Sequence, residues 1–232
     1  MALVARVCVD RWEAHLVKAD GTAHPHNQRP EEGVRYVARA SRGVFPQAYI
    51  SRLEARAACE ASGKRLCTLG EWYSACRGKS GFAYPYGNKL VPDKCNAAKP
   101  HLLSRFFGAD PHAWSYDDFN DPKLNVEPGF LAKSGEYREC ASDYGAYDMV
   151  GNLHEWVSDT VDRRLPLKLP LRDDIRGRIH ANIGHGIFMG GFYSTTSEHG
   201  RGCAFVTIAH EPKYHDYSTG FRCCREAAPP SK

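Results

Sequence analysis

The sequence predicts a single α+β domain that is low in regular secondary structure. Two short helices with clear start and stop signals lie in the first third of the chain, at 51–63 and 68–78. Segments typical of strands are short and scattered. The stretch 79–147 is rich in Gly, Pro, Asn and Asp with aromatic residues between them, which indicates turns. A stretch of this length in a compact domain needs an organiser, usually bound metal or disulfides.

Composition fits a soluble globular protein and excludes several function classes. The chain has 232 residues, of which 42% are hydrophobic and 25% charged. The net charge of +4 is spread out without a Lys/Arg-rich run, so we expect no nucleic-acid partner. No run approaches the length of a membrane span, and the opening MALVARVCVD is too short an apolar run for a signal peptide. We expect one domain over 1–226 and a disordered tail over 227–232.

Each predicted helix begins with a capping box. Ser51 and Glu54 open the first and Thr68 and Glu71 open the second, while Gly63 and Gly78 are placed to end them. An apolar stripe of Leu53, Ala57 and Ala58 predicts the buried face of the first helix.

Strand-like segments occur near both ends of the chain. They are ARVCVDRW at 5–12, GIFMGGFYST at 186–195 and TGFRCCRE at 219–226. No internal repeat is present.

Nine cysteines are scattered along the chain without any CxxC motif. This spacing argues against zinc knuckles and favours disulfides in an oxidising, extracytoplasmic compartment. A cytoplasmic location stays open, since several of the cysteines would also fit as buried thiols. The odd count leaves at least one thiol without an intramolecular partner.

Several blocks occur in an order that resembles the formylglycine-generating enzyme family, also called the sulfatase-modifying-factor domain. They are CEASGKRLCTLGEWYSACRG at 59–78, YPYGN at 84–88, GAYDMVGNLHEW at 145–156, MGGFY at 189–193 and GFRC at 220–223. The resemblance implies a decorated C-type-lectin-like fold that is low in regular secondary structure and holds calcium ions and disulfides.

The resemblance implies two disulfides, Cys59–Cys223 and Cys76–Cys203. Each closes a loop of more than 100 residues, which contributes about 4–5 kcal/mol in the loop-entropy model. Cys67 and Cys224 lie beside these positions and could form a further bridge. Cys8 is left unassigned, and a Cys95–Cys140 bridge is a further hypothesis.

The segment at 145–159 resembles the family's second calcium loop. The match implies side-chain oxygens from Asp148 and Glu155 and backbone carbonyls from Gly151 and Leu153, which is a hard-oxygen set suited to calcium. Two alternatives stay open: a metal-free turn with Glu155 in a salt bridge, and Glu155 as a general base. In the same way Asn96 and the carbonyl of Ala97 match the first calcium site, whose acidic partner we do not place.

The sequence departs from the family at the site of its chemistry. The family oxidises a substrate cysteine to formylglycine with two copper-binding cysteines after the double glycine. Here Thr195 and Gly200 stand at those positions, and Phe192 replaces the family's serine. A hydroxyl or a hydrogen cannot replace a thiolate ligand of copper(I), and Cys203 is needed for a bridge. We therefore expect no formylglycine formation, unless Cys223 and Cys224 supply thiolates instead.

The region around this departure is polar and rich in histidine. The pocket candidates are Thr195, Glu198, His199, Arg201, His210 and His215, with Thr207, Asp216 and Tyr217 nearby; Trp114 is a candidate ligand-contacting aromatic. Two histidines and a carboxylate form the ligand set of facial iron or copper sites. Loop-lining histidines without metal are the simpler interpretation. Trp72 and Trp156 lie inside family blocks and are predicted to fill the core.

Two functions therefore compete. The first is a calcium- and disulfide-stabilised domain that binds a peptide, glycan or protein ligand. The second is a divergent metal-dependent oxidase or oxygenase that reuses the family pocket with iron or copper. Fold alone does not decide between them, because function depends on the site.

Overall fold

Both predicted helices begin at their capping boxes in the computed structural model of the protein, which describes residues 1–196 and 200–228. Helix α1 spans Arg52–Ala61 and helix α2 spans Leu69–Arg77. In α1 the Ser51 side chain accepts from the Glu54 amide while the Glu54 carboxylate accepts from the Ser51 amide. The same reciprocal pair opens α2, so four otherwise unsatisfied amide donors are paired at the two helix starts.

The buried face of α1 differs from the predicted one. Ala58 is buried as predicted, but Leu53 is 48% exposed and Ala57 is exposed, and the helix buries Ala55 and Cys59 in their place. Two long-range contacts orient this face: the Cys59–Cys223 disulfide and hydrogen bonds from Arg52 to strand carbonyls more than 100 residues away. The stripe prediction was wrong for Leu53 and Ala57 because tertiary contacts outweighed the local apolar pattern.

The remaining helices are short and lie in segments of turn-like composition. They are α3 (Leu102–Phe107), α4 (Tyr116–Phe119), α5 (Leu165–Lys168) and α6 (Asp173–Arg178), with 3-10 turns at Pro111–Ala113, Leu124–Val126, His180–Asn182 and Gly202–Ala204. Within the described ranges, no helix is both long enough and apolar enough to cross a bilayer.

The strands form three small sheets. They are β1 (Ala2–Val4), β2 (Val7–Val9), β3 (Ala14–Lys18), β4 (Tyr36–Ala40), β5 (Arg65–Leu66), β6 (His154–Thr160), β7 (Gly186–Met189), β8 (Val206–His210), β9 (Thr219–Phe221) and β10 (Cys223–Glu226). The strand orders are β1-β2-β10-β5, β3-β4 and β8-β7-β6-β9. The three predicted strand segments thus contain strands, but each is shorter than predicted or interrupted.

Strand β6 is an inner strand of the β8-β7-β6-β9 sheet. It pairs antiparallel with β7 and parallel with β9. Trp156 on β6 and Trp72 on α2 are both 0% exposed, which confirms their prediction as core residues. The strand begins inside the segment that resembles a calcium loop, so this segment also builds the sheet.

Four disulfides tie the chain together. Cys59–Cys223 and Cys76–Cys203 confirm the pairs that the resemblance implies, and Cys67–Cys224 and Cys95–Cys140 complete the set. Cys8 is the free thiol. The Cys95–Cys140 bridge spans much of the turn-rich stretch, so covalent bracing organises part of the chain that has few strands or helices.

Candidate functional site

A cavity of about 800 Å³ lies beside the β8-β7-β6-β9 sheet. Its wall is mostly aromatic. Rings come from Tyr116, Phe119, Phe188, Phe192, Phe205, Tyr214 and Tyr217, and imidazoles from His101, His154 and His210. The polar lining residues are Lys99, Ser194, Thr195, Thr196, Thr207, Asp216 and Ser218.

A β-bulge in β8 presents two residues to this cavity. Phe188 pairs with Thr207 and Gly186 pairs with His210, so three steps along β8 match two steps along β7. Residues three apart on a regular strand face opposite sides of the sheet. The extra residue of the bulge changes this alternation, and both Thr207 and His210 line the cavity.

His210 is held between aromatic rings. Its ring stacks on Tyr214 with centroids 3.8 Å apart and on Phe188 at 5.5 Å. Burial lowers the pKa of His210 to about 4, with a smaller contribution from nearby His185. The imidazole is therefore neutral at physiological pH and acts as an aromatic wall with two polar nitrogens.

Asp216 places a carboxylate in the wall of the cavity. The residue is 4% exposed. Its Oδ2 accepts a hydrogen bond of 2.5 Å from the Tyr214 hydroxyl, and its Oδ1 accepts from the Ser218 amide and hydroxyl at 2.8 and 2.7 Å. Burial raises the pKa of the carboxyl group, while these three donors favour its ionised form.

His101 forms the other end of the cavity and explains the position of Trp114. The Nε2 of His101 lies 3.2 Å from the Tyr217 hydroxyl. Trp114 stacks on the outer face of this imidazole with centroids 4.9 Å apart, and its indole donates to the Gly108 carbonyl. Trp114 thus supports a lining residue and is not itself part of the lining.

Thr195 lies at the cavity, at the first position where the family has a copper-binding cysteine. Its Oγ1 accepts a hydrogen bond of 2.8 Å from the Phe192 amide, and its own amide donates to the Phe192 carbonyl. Thr195 therefore closes the turn after the double glycine. Phe192 itself turns into the cavity and packs edge-to-face on Tyr217 at 5.6 Å.

Gly200, at the second such position, has no room for a side chain. Its φ is +136°, and a Cβ built there would lie 2.5 Å from the carbonyl oxygen of Ala204. The nearby Cys203 is bonded to Cys76, and both Cys223 and Cys224 are in disulfides. The alternative in which Cys223 and Cys224 supply copper-binding thiolates is thus wrong for this disulfide-bonded form.

The other sequence candidates are dispersed. Arg201 is exposed, donates to the Asn88 carbonyl and lies over the Tyr84 ring, at a separate groove. His215 bonds Asn120 through Nδ1 beside the cavity but outside its lining. Glu198 and His199 lie outside the described residues.

The described residues do not assemble the predicted facial metal site. No group of three or more His, Cys, Asp or Glu side chains is placed to hold a metal within 1–196 and 200–228. His210 and His215 do not share the cavity lining. The described residues therefore do not provide a ligand set for iron or copper, and such a centre stays a prediction.

Glu155, expected to bind calcium, makes a buried ion pair. Both of its oxygens accept from Arg222, at 2.5 and 2.6 Å, and Oε2 also accepts from the Trp72 indole at 2.8 Å. Arg222 provides the positive charge that a cation would otherwise bring. The geometry thus matches the alternative of a metal-free turn with Glu155 in a salt bridge.

The rest of the predicted calcium loop is held by protein groups. Asp148 accepts from the Gly135 amide at 2.6 Å. A Cβ on Gly151 would lie 2.1 Å from the carbonyl oxygen of Asn96, so only glycine allows this contact. The Leu153 amide donates to Glu13, a buried carboxylate that sequence reasoning missed.

Asn96 carries the one sign of an open coordination position among the predicted calcium ligands. Its amide nitrogen donates to Phe130 and Asn152, but its buried Oδ1 has no hydrogen-bond partner in the described structure. Ala97 follows directly, against the Gly151 turn. An amide oxygen and a carbonyl are calcium ligands by chemistry, so this pair fits the ion better than Glu155 does.

Sequence reasoning missed most of the aromatic wall. His101, Tyr116 and Phe119 come from the variable stretch, where no pattern predicts which rings face inward. His154 lies in a family block that draws attention to Asp148 and Glu155, and Phe205 lies outside the family blocks. The bulge in β8 also has no sequence signal here, since no glycine or proline marks it.

Comparisons with known proteins agree with this fold. A profile of the family described as sulfatase-modifying factor enzyme 1-like domain (FGE-sulfatase) matches residues 5–227. The chain is 35% identical over 116 residues to the Bos taurus inactive C-alpha-formylglycine-generating enzyme 2, covering 49% of this chain and 33% of that protein. It is 30% identical over 144 residues to the Mus musculus formylglycine-generating enzyme, covering 62% and 33% respectively. The match thus spans about a third of each relative.

A solved structure extends the likeness to the three-dimensional fold. PvdO from Pseudomonas aeruginosa superposes with a TM-score of 0.51 at 16% identity, covering 85% of this chain and 64% of that chain. This similarity confirms the predicted α+β fold of the formylglycine-generating-enzyme type and is too distant to transfer a function. The profile match covers nearly the whole chain, and the chain belongs to the sulfatase-modifying factor enzyme 1-like domain family.

Proposed function

We propose that this chain is a binding domain that holds a peptide segment in its aromatic cavity. The proposal is supported by the residues that stand where the family has its copper-binding cysteines and by the rings that line the cavity beside them. Thr195 is used to close a turn, Gly200 excludes a side chain, and aromatic rings surround the space. Aromatic side chains bury large apolar areas and dominate recognition surfaces, which favours ligand binding here.

The disulfides support an extracytoplasmic setting for this role. Four bridges in one domain are typical of oxidising compartments. They also fix the frame from which the cavity loops extend, because Cys203 anchors the segment just before β8 to α2.

A peptide selection tests the proposal. A random peptide library displayed on phage is selected against the immobilised protein, and the affinities of enriched peptides are measured for two variants. Thr207→Trp puts an indole into the cavity. The control, Thr22→Trp, makes the same change at an exposed position that does not line the cavity. We expect enriched peptides to lose at least about tenfold in affinity for the first variant, equal to 1.4 kcal/mol, and to bind the second normally. No enrichment, or equal binding to Thr207→Trp, contradicts the proposal.

A calcium ion that braces the scaffold is part of this proposal, and the buried Oδ1 of Asn96 supports it. Calcium would bind Asn96 and the Ala97 carbonyl and hold the turn-rich stretch against the Gly151 loop. The melting temperature of chelator-treated protein should rise when calcium is added and should not rise in Asn96→Ala. An unchanged melting temperature in the wild type would count against calcium at this site.

The competing proposal is a divergent metal-dependent oxidoreductase. It requires iron or copper in stoichiometric amount, and elemental analysis of the purified protein decides this directly. If either metal is present, His210→Ala and His215→Ala should remove it, and full occupancy in both variants would contradict the two-histidine site.

A further inference from the structure

Asp216 is a buried carboxylate that forms no ion pair with the other described residues. In the part of the chain that the structure describes, Asp216 forms no ion pair with Lys, Arg or His. Its hydrogen-bond donors are the neutral Tyr214 hydroxyl and the amide and hydroxyl of Ser218. The contrast with Glu155 is direct, since that buried carboxylate is matched by Arg222. A carboxylate that is 4% exposed is costly without a countercharge.

Within residues 1–196 and 200–228, the described cation–π contacts use rings outside the cavity and not its rings Phe188, Phe192 and Tyr217. Cation–π contacts elsewhere in the described residues use the rings of Trp12, Phe45, Tyr73, Tyr84, Tyr86, Phe106, Phe107, Tyr137 and Tyr144. None of these rings lines the cavity. Aromatic faces attract ammonium and guanidinium groups most strongly where water is excluded.

Lys99, the lysine among the described lining residues, makes its contacts away from Asp216. The Lys99 ammonium donates to the carbonyls of Gly129 and Phe130 and lies over the Tyr137 ring. His101, His210 and the neighbouring His215 have pKa values lowered by burial, so they add no positive charge at neutral pH. Among the described lining residues, Asp216 is thus a carboxylate without an opposite charge in contact with it.

We propose that the cavity recognises the cationic side chain of a lysine or arginine in the bound peptide, with Asp216 as its countercharge and the surrounding rings as its walls. This inference rests on the proposed peptide-binding function and adds the chemical class of the recognised group. The Tyr214 hydroxyl, already bonded to Asp216, orients the carboxylate. The stack of His210 on Tyr214 fixes that ring in turn.

Matched peptides that differ in one charge test the inference. Capped peptides of sequence Gly-Gly-X-Gly-Gly carry lysine, norleucine, arginine or citrulline at X and are titrated at pH 7.5 by NMR, with the cavity histidines as reporters. Norleucine and citrulline keep the shape of lysine and arginine and lack the positive charge. We expect each cationic peptide to bind at least about tenfold more tightly than its neutral partner, because only the charged side chain gains the ion pair with the buried Asp216 carboxylate.

Two variants assign the charge preference to Asp216. Asp216→Asn removes the charge at constant size and should bring the lysine-to-norleucine affinity ratio close to one. Asp174→Asn, an exposed carboxylate on α6 paired with Arg172, is the matched control and should leave the ratio unchanged. The comparison of the four peptides on the wild-type protein needs no variant, so a folding defect in Asp216→Asn does not remove the test.

The outcomes separate the inference from the proposed function. Equal affinity for cationic and neutral peptides overturns the inference and leaves peptide binding intact. Preference for a glutamate peptide overturns it as well. Failure of all four peptides to shift the cavity resonances also overturns it, and the library selection then decides whether the peptide-binding function survives.

Discussion

Arg222 and Glu155 form a two-point ion pair in the interior of the protein. The Arg222 Nε and Nη2 atoms lie 2.5 and 2.6 Å from the two Glu155 oxygens, and both side chains are at most 1% exposed. Arg222 also donates to the backbone carbonyls of Asp10 and Tyr147. This pair links β6, the junction between β9 and β10, and the N-terminal segment, so the residue expected to bind calcium connects elements of the scaffold directly.

Removing one partner of this pair should destabilise the protein strongly. In Glu155→Ala the buried Arg222 loses its countercharge, and we expect a loss of about 3–5 kcal/mol in the free energy of unfolding. Urea unfolding in the presence of a chelator measures it. Glu60→Ala removes an exposed ion pair with Arg56 on α1 and should cost less than about 0.5 kcal/mol.

Calcium distinguishes the two roles of Glu155. If the carboxylate acts through Arg222, the difference between wild type and Glu155→Ala is the same with and without calcium. A difference that appears only when calcium is added would restore the loop that the family resemblance implies. Either result is read from the same unfolding curves.

Asp148 makes stability depend on pH. Burial raises the pKa of its carboxyl to about 7, and the neighbouring Glu155 adds to this. Because this pKa lies above that of the unfolded chain, the folded state prefers the protonated form. The resulting stability is fully present below about pH 4 and is lost as pH rises toward about 7.

The variant Asp148→Asn should remove this dependence. An amide oxygen still accepts from the Gly135 amide, and asparagine tolerates the φ of +56° at this position. We expect the variant to be more stable than the wild type at pH 8, by an amount on the order of a few kcal/mol, with the advantage shrinking by pH 4. Denaturant unfolding between pH 4 and pH 8 in chelator checks this, and parallel pH profiles for the two proteins would refute it.

The sequence predicted local and covalent features well because their causes are local or carried by motifs. The capping boxes at Ser51 and Thr68 depend on four consecutive residues, and both form. The pairing of Cys59 with Cys223 followed the family blocks. By contrast, Glu155 pairs with Arg222, 67 residues away. The residues around Glu155 do not indicate Arg222 as its partner, and those around Arg222 do not indicate Glu155.

The cavity illustrates the same limit. The family resemblance and the histidine-rich composition of the region point to Thr195 and His210, whereas His101 and Tyr116 come from a stretch without periodicity. The bulge that turns His210 inward depends on how β8 pairs with β7. In a turn-rich segment, only tertiary packing decides which aromatic rings line the cavity and which are exposed to solvent. A pattern in a single sequence does not predict that packing.

The Cys95–Cys140 bridge should be the main brace of the turn-rich stretch. It closes a loop with a sequence separation of 45, for which the loop-entropy model gives about 4 kcal/mol. We expect Cys95→Ala/Cys140→Ala to lose stability of that order and to gain hydrogen exchange chiefly within 79–147. Cys8→Ser, which changes the free thiol, is the control and should leave exchange in that stretch unchanged. Mass spectrometry of non-reduced peptides checks the bridge itself, and a Cys8 peptide linked to any other would contradict the pairing.

Restoring the two family cysteines should not restore a copper centre. In Thr195→Cys/Gly200→Cys the new Cβ at 200 would meet the Ala204 carbonyl at 2.5 Å, in a backbone conformation that residues with side chains rarely adopt. The change at 195 also removes the hydroxyl that accepts from the Phe192 amide. We therefore expect copper(I) affinity, measured by competition with a chromophoric chelator, to be no higher than that of Thr195→Cys alone. Tight stoichiometric copper(I) in the double variant, with formylglycine appearing in a cysteine peptide, would instead show that the loop at Gly200 adapts and that the missing thiolates are the whole difference from the active relatives.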